Sequence, residues 1–346
     1  MKAHIITIQN SLNYGAYLQA FALMKTLKKM NYEVDFINTH ARKPYKRTYK
    51  KVIKDILNFK LEKTKYDITL LQKYKKSWKK FKIIESSEID AESVCITGSD
   101  EIWNVRRKQC ADFPIFWGEG LNTNHLISYA PSCNITTQEE LQRIKYTKDA
   151  IKKYKAVSVR DKHSKELIET ITDKKVQIVL DPTMLLTKED YKKYEEETYE
   201  EHNNYLFIYS YGEKLNNDEI KQIKEIAQKE KLIIIAAGLY IDWADKNIPA
   251  SPFEFLNLIR NAKYVITDTF HGTIFSILYN KQFITYSGNN IKINNLLEDF
   301  NIQNRDIYKA NKNIEKILKQ DLNYETIEKT IEDKKQESLK FLKDNI

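Results

Sequence analysis

Short apolar runs alternate with longer segments of helical period along this chain, and that alternation limits the fold more than any single motif. His4 to Ile8 is a short strand-like run. Ala16 to Met30 then sets Leu18, Phe21, Ala22 and Met24 at helical spacing and ends in lysines, and Val34 to Ile37 is strand-like again. A strand–loop–helix–strand opening predicts a parallel, doubly wound α/β sheet. Further strands are predicted in SVCITGSD (Ser93 to Asp100), which ends in a Gly-Ser-Asp turn, in His125 to Ser132, in Ala156 to Val159 and in Val176 to Thr187. A second cycle begins at Tyr205 with the strand YLFIYSYG, a helix from Asp218 to Lys231 and the strand LIIIAAG. Ser251-Pro252 then opens a helix, the chemistry expected of a helix N-terminus. The strand YVITD, a buried helix in TIFSILYN and an amphipathic helical tail after Asn311 complete the pattern.

The domain boundary is expected between Thr187 and Tyr205. This gives an N-terminal domain over 1–190, a C-terminal domain over 200–310 and a helical tail over 311–346. A chain of 346 residues with 42% hydrophobic composition can bury two cores. The net charge of +9 is local, because Arg42 to Lys82 holds sixteen basic and three acidic side chains. This basic, helical insertion, with Leu71, Tyr74, Trp78 and Phe81 at helical spacing, suits an anionic partner such as a membrane surface. It equally suits a solvated helix face with its apolar stripe in the core. Cys95, Cys110 and Cys133 form no CxxC pair, which argues against a disulfide framework and a structural zinc. No run approaches about 18 apolar residues, and MKAHIITI reads as a strand rather than a signal peptide. A cytoplasmic protein is expected. Neither HxxxH nor a carboxylate pair at metal spacing is present, so no catalytic metal is expected. GxGxxG, GxSxG and Walker motifs are absent, no resident cofactor is expected, and no nucleic-acid partner is implied beyond charge.

Ligands of open α/β sheets bind at the carboxyl ends of strands, and four polar clusters occupy such ends here. NSLNYGAYLQA (Asn10 to Ala20) has Gly15 for close approach and a helix N-terminus for an anion or a sugar hydroxyl; it also reads as a plain βα loop. In TGSDEIWN (Thr97 to Asn104), Ser99 and Asp100 suit an acceptor site or a helix cap with Trp103 beneath it. Arg160, in SVRD, can pair bidentately with a carboxylate or phosphate, or form an internal pair with Asp161 or across the domains. His271, in ITDTFHGTIFS, sits where a strand meets a buried helix, with Asp268, Thr269 and Thr273 around it. A histidine there can contact an anionic donor or act as general acid; the bland alternative is a satisfied core histidine.

NYGAYLQA, TGSDEIWN, SYAPSCN, SVRDKHS, VLDPTMLL and TDTFHGTIFSI, in this order, resemble the polysaccharide pyruvyl transferase family, and the likeness runs from about residue 5 to 310. The resemblance implies two Rossmann-like doubly wound domains facing a cleft, similar to the GT-B glycosyltransferases. It implies transfer of a pyruvyl group from phosphoenolpyruvate, as co-substrate, to a hydroxyl pair on a cell-surface polysaccharide or lipid-linked glycan precursor, forming a ketal. It assigns His271 as general acid and Arg160 as donor clamp. Thr269, Phe270, Gly272, Thr273 and Lys292 then belong to the donor side, and Asn13, Tyr14, Gly15, Gln19, Ser99, Asp100 and Trp103 to the acceptor side. One position departs from the pattern: the family tends to carry an arginine two residues before this histidine, and Thr269 stands there, leaving Lys292 as the basic residue expected to substitute. Two other functions are compatible with the same fold: a glycosyltransferase using a nucleotide sugar, and a non-catalytic glycan-binding protein.

Overall fold

The computed structural model describes residues 1–41, 60–196, 204–211, 215–288, 290–310 and 313–346. The first part of the basic insertion, 42–59, and part of the expected domain boundary, 197–203, lie outside the described residues.

Two parallel five-stranded sheets organise the chain. The first holds β1 (Lys2–Ile6), β2 (Glu33–Ile37), β3 (Ile83–Ile84), β4 (Val94–Thr97) and β5 (His125–Ser128) in the order β3-β2-β1-β4-β5. Helix α1 (Tyr14–Lys29) links β1 to β2, and α2 (Leu61–Trp78) precedes β3. A parallel pair, β6 (Val157–Val159) and β7 (Val176–Ile178), flanks α3 (Lys162–Glu169) and is joined to β5 by a bridge between Ile127 and Ala156. The second sheet holds β8 (Tyr205–Tyr209), β9 (Ile233–Ala237), β10 (Lys246–Asn247), β11 (Tyr264–Thr267) and β12 (Gln282–Thr285) in the order β10-β9-β8-β11-β12. Its helices are α4 (Asn217–Lys229), α5 (Pro252–Asn261) and α6 (Phe270–Leu278); α7 (Ile291–Asp299), α8 (Ile314–Lys319) and α9 (Tyr324–Asn345) follow.

Each sheet reverses its winding direction once, between β1 and β4 in the first and between β8 and β11 in the second. At such a reversal the loops leaving the two strands diverge and open a crevice. β1 ends at Ile6, two residues before the sequence pattern suggests, so Ile8 lies in the crevice loop rather than in the strand.

α1 explains why the two halves hold together. All its residues but Lys25, Lys28 and Lys29 are buried, because it packs on its own sheet and also against α5 and α6 of the second half. Tyr14 stacks on Phe255 at 4.3 Å and on Tyr74 at 5.6 Å, and Tyr17 meets Phe253 edge-on at 5.8 Å. Burial of side chains this large contributes about 1.5–3 kcal/mol each. One hydrophobic cluster therefore runs through both halves, from Ala3 to Leu342.

α2 sends Tyr66, Leu70, Leu71 and Tyr74 into that cluster's surroundings, so its apolar stripe is core and its exposed lysines form a solvated face. The helix start expected at Ser251-Pro252 is present, and it is a capping box, with Ser251 and Glu254 exchanging side-chain-to-backbone bonds. The segment after 312 is not a loose tail. α8 packs on α4, and α9 returns to the first half, where Ser338 Oγ accepts from Leu180 N at 2.9 Å and His125 Nε2 lies 2.7 Å from Asn345 O.

Candidate active site

The two crevices face each other. Ile8, Ser11 and Asn13 after β1, with Asp100 and Glu101 after β4, form one wall of a cleft of about 350 Å³. Tyr209 at the end of β8 and Tyr211 after it, with Asp268, Thr269, Phe270 and His271 after β11, form the other. Ala16, Arg107, Gln109, Asn290 and Lys292 complete the lining.

His271 is the second residue of α6. Thr269 caps that helix, its Oγ1 accepting from Gly272 N at 2.9 Å, which satisfies one of the free N–H groups of the first turn. Gly272 is needed there because a Cβ would lie 2.2 Å from Thr267 Oγ1. Across the cleft, Asn13 caps α1 in the same manner, its Oδ1 accepting from Ala16 N at 2.9 Å. Gly15 follows, and a Cβ on it would stand 1.9 Å from His271 Nδ1. The glycine of the first cluster and the histidine of the fourth are thus one contact. His271 Nε2 points the other way, is buried, and faces Asp181 Oδ2 at 3.5 Å.

Arg160 shares that carboxylate, its Nη1 donating to Asp181 Oδ2 at 2.8 Å. Its side chain is 3% exposed, and Nε and Nη2 have no hydrogen-bond partner among the described residues. The guanidinium lies 4.5 Å from the Phe270 ring and lines a second cavity of about 400 Å³, which shares Phe270 and Lys292 with the first. Burial disfavours the Asp181 carboxylate, but His271, Arg160 and the Thr183 hydroxyl outweigh burial and hold its pKa well below the ordinary carboxylate range. Burial likewise opposes the Arg160 cation, and Asp181 with Asp100 more than restores it.

A second carboxylate gathers the remaining cations. Glu101 pairs with Lys292 from the other half of the molecule and with Arg107 Nη2 at 2.9 Å, and accepts from Asn134 Nδ2 at 2.9 Å. Burial pushes its carboxyl up, but Lys292 and Arg107 prevail and bring it down to about 2.

Several expected contacts are corrected by burial. Tyr14 is inaccessible and donates its hydroxyl hydrogen to Ala250 O at 3.0 Å, so it ties the halves together instead of meeting an acceptor. Gln19 is consumed internally, donating to Thr7 Oγ1 at 3.0 Å and accepting from Ser99 N at 3.3 Å. Ser99 is buried, with Oγ 3.5 Å from Asp181 Oδ2. Trp103 is core, stacked on Trp117 at 4.7 Å. Thr273 is fully buried and bonds Thr269 O and Thr285 Oγ1. Arg160 pairs with Asp181, not with Asp161, which instead caps α3 through Ser164 N at 2.8 Å. Asn13, Asp100, Thr269, Phe270, His271 and Lys292 do line the cleft.

Sequence reasoning missed Asp181, Glu101 and Arg107 as parts of this site. Asp181 carried a usable signal, an Asp-Pro at a strand end in VLDPTMLL, and Glu101 adjoins Asp100. Arg107 carried none.

The model of the family described as polysaccharide pyruvyl transferase matches residues 13–290. The chain belongs to that family. The match begins at Asn13 and ends at Asn290, both in the lining of the cleft. This polysaccharide pyruvyl transferase family member is therefore a polysaccharide-modifying transferase. No curated protein matches it. Among solved structures it is similar to the Methanocaldococcus jannaschii UDP-GlcNAc 2-epimerase in complex with UDP-GlcNAc and UDP, at 14% identity, TM-score 0.50, covering 96% of this chain and 99% of that one. Arabidopsis thaliana UGT89C1 complexed with UDP matches at 10% identity, TM-score 0.47, over 99% and 98% of the two chains. The fold of the transferase is GT-B, two doubly wound parallel sheets across a cleft. Among the described residues no helix is long and apolar enough to cross a membrane.

Proposed function

We propose that the protein transfers a pyruvyl group from phosphoenolpyruvate to two hydroxyls of a polysaccharide precursor, forming a ketal and releasing phosphate. The observation that carries this reading is the pairing of His271 and Arg160 on one buried carboxylate. A proton-transfer group and a cation with two uncommitted donors stand side by side, and an anionic enol ether needs both.

The steps balance as follows. His271 gives a proton to C3 of phosphoenolpyruvate, and C2 becomes an oxocarbenium-like centre. One sugar hydroxyl adds to C2 and returns its proton to His271. The C2–O bond to phosphate breaks, and the second hydroxyl closes the ketal at C2. Its proton leaves with hydrogen phosphate. Arg160 Nε and Nη2 support a clamp on the donor's carboxylate or phosphate, and Lys292 adds charge beside Phe270, where Thr269 supplies only a helix cap.

Isothermal calorimetry with phosphoenolpyruvate and a nucleotide-sugar panel tests the donor. Phosphoenolpyruvate should bind the wild type and bind neither His271→Ala nor Arg160→Ala with comparable affinity. Binding of a nucleotide sugar in its absence would overturn the reading in favour of glycosyl transfer. The exposed Lys65 and Lys76 of α2 and Lys79 just after it support work at the inner face of an anionic membrane on a lipid-linked acceptor. Co-sedimentation with phosphatidylserine vesicles, lost on charge reversal of those three lysines, is the expected result; unchanged binding would remove this part of the proposal.

A further inference from the structure

We propose that Asp181 is a positioning residue that holds neutral His271 as the Nε2–H tautomer and thereby leaves Nδ1, beside Gly15 of α1, as the nitrogen that exchanges the proton. This rests on the acid–base role proposed above for His271.

The argument is one of hydrogen-bond supply. Asp181 is fully buried, and Oδ1 is taken by Thr183, from N at 3.0 Å and from Oγ1 at 2.7 Å. Oδ2 receives Arg160 Nη1 at 2.8 Å and Ser99 Oγ at 3.5 Å, and His271 Nε2 faces it at 3.5 Å. With Arg160 beside it the carboxylate is ionised and can only accept, so a hydrogen on the His271 contact must come from the ring. A neutral imidazole has one N–H, and the partner of one nitrogen decides which nitrogen carries it. Nε2 is buried without a hydrogen bond of good geometry, and Asp181 Oδ2 is the acceptor it faces. Nδ1 then lies against Gly15, in the space a Cβ there would fill. Proton gain and loss both occur at Nδ1, and the ring completes a cycle without changing tautomer or flipping. Ser99 and Gln19, misread as acceptor contacts, acquire a reason here: Gln19 Oε1 accepts from Ser99 N at 3.3 Å and fixes the residue whose hydroxyl faces Asp181.

The test needs no substrate. Protein labelled with ¹⁵N-histidine is recorded at alkaline pH by long-range ¹H–¹⁵N correlation, whose cross-peak pattern distinguishes the two neutral tautomers. Of the six histidines, His271 is assigned by the signal lost in His271→Gln. The wild type should show the Nε2–H pattern. In Asp181→Asn the amide offers an N–H to the ring, and the pattern should reverse to Nδ1–H. An Nδ1–H pattern in the wild type overturns the proposal even where Asp181→Asn does not fold, and an unchanged pattern in a folded Asp181→Asn also overturns it. Failure of the phosphoenolpyruvate reading would leave this result standing, because no donor is in the sample.

Discussion

The first turns of α1 and α6 are built to the same plan and do different work. Each follows a central strand of its sheet, each is capped by a side-chain oxygen, Asn13 in one and Thr269 in the other, and each carries a glycine within its first three residues. They meet across the cleft at the contact of Gly15 with His271. On α6 the glycine makes room for its own strand's Thr267, so it serves local packing. On α1 the glycine makes room for the other domain's histidine, so it serves the site. The same residue type in the first turn of a βα unit thus packs against its own strand in one half and seats the other half's histidine in the other.

The largest expected effect is on the α6 side. His271→Gln should lower phosphate release from phosphoenolpyruvate in the presence of acceptor by on the order of 10²–10⁴-fold, the usual worth of a general acid–base group. Retention of turnover within a few-fold would remove His271 from the chemistry. The comparison itself is tested by the two glycines. Gly15→Ala puts a methyl where His271 Nδ1 lies, and should cost activity beyond its cost of about 1–3 kcal/mol in stability. Gly272→Ala should cost similar stability through Thr267 and Thr269, with a smaller loss of activity per kcal/mol. Denaturation midpoints set beside initial rates would separate the two, and equal activity losses at equal destabilisation would break the contrast.

Glu101 gives a pH prediction. Its folded-state pKa is depressed, so its stabilising pairs with Lys292 and Arg107 are intact above its ordinary value of 4.5 and are lost as pH falls toward about 2. The stability difference between wild type and Glu101→Gln should therefore shrink over that window in denaturant titrations, and a constant difference would count against a charge-based contact. The smallest effects belong to the caps. Asn13→Ala and Thr269→Ala should each lower stability by about 1 kcal/mol. A greater fall in turnover for Thr269→Ala than for Asn13→Ala would show that the α6 turn is the more tightly coupled to the reaction.

The regular elements were legible because strand and helix periods are local properties of a dozen residues, and Ser251-Pro252 announces a helix start by its own chemistry. His271 was legible for the same reason: a polar residue at a strand-to-helix junction marks itself. Burial was not. Tyr14, Gln19, Ser99 and Trp103 sit in segments that look like binding clusters, and nothing near them in the chain reveals that Ala250, Thr7, Asp181 and Trp117 take up their contacts. The partner of Arg160 was not legible either, because Asp161 adjoins it in sequence while Asp181, 21 residues on, adjoins it in space.

The sequence by itself determined a parallel α/β chain in two cycles, its family, and the strand ends where polar chemistry gathers. Only the tertiary structure decided that Asp181 serves both Arg160 and His271, that Glu101 draws Lys292 and Arg107 together, and that Gly15 faces His271. The physical reason is range. Periodicity and capping act over one turn or one strand, whereas charge pairing, close approach and desolvation are settled by residues up to 256 positions apart in the chain, as Gly15 and His271 are, brought together by the packing of two sheets around α1.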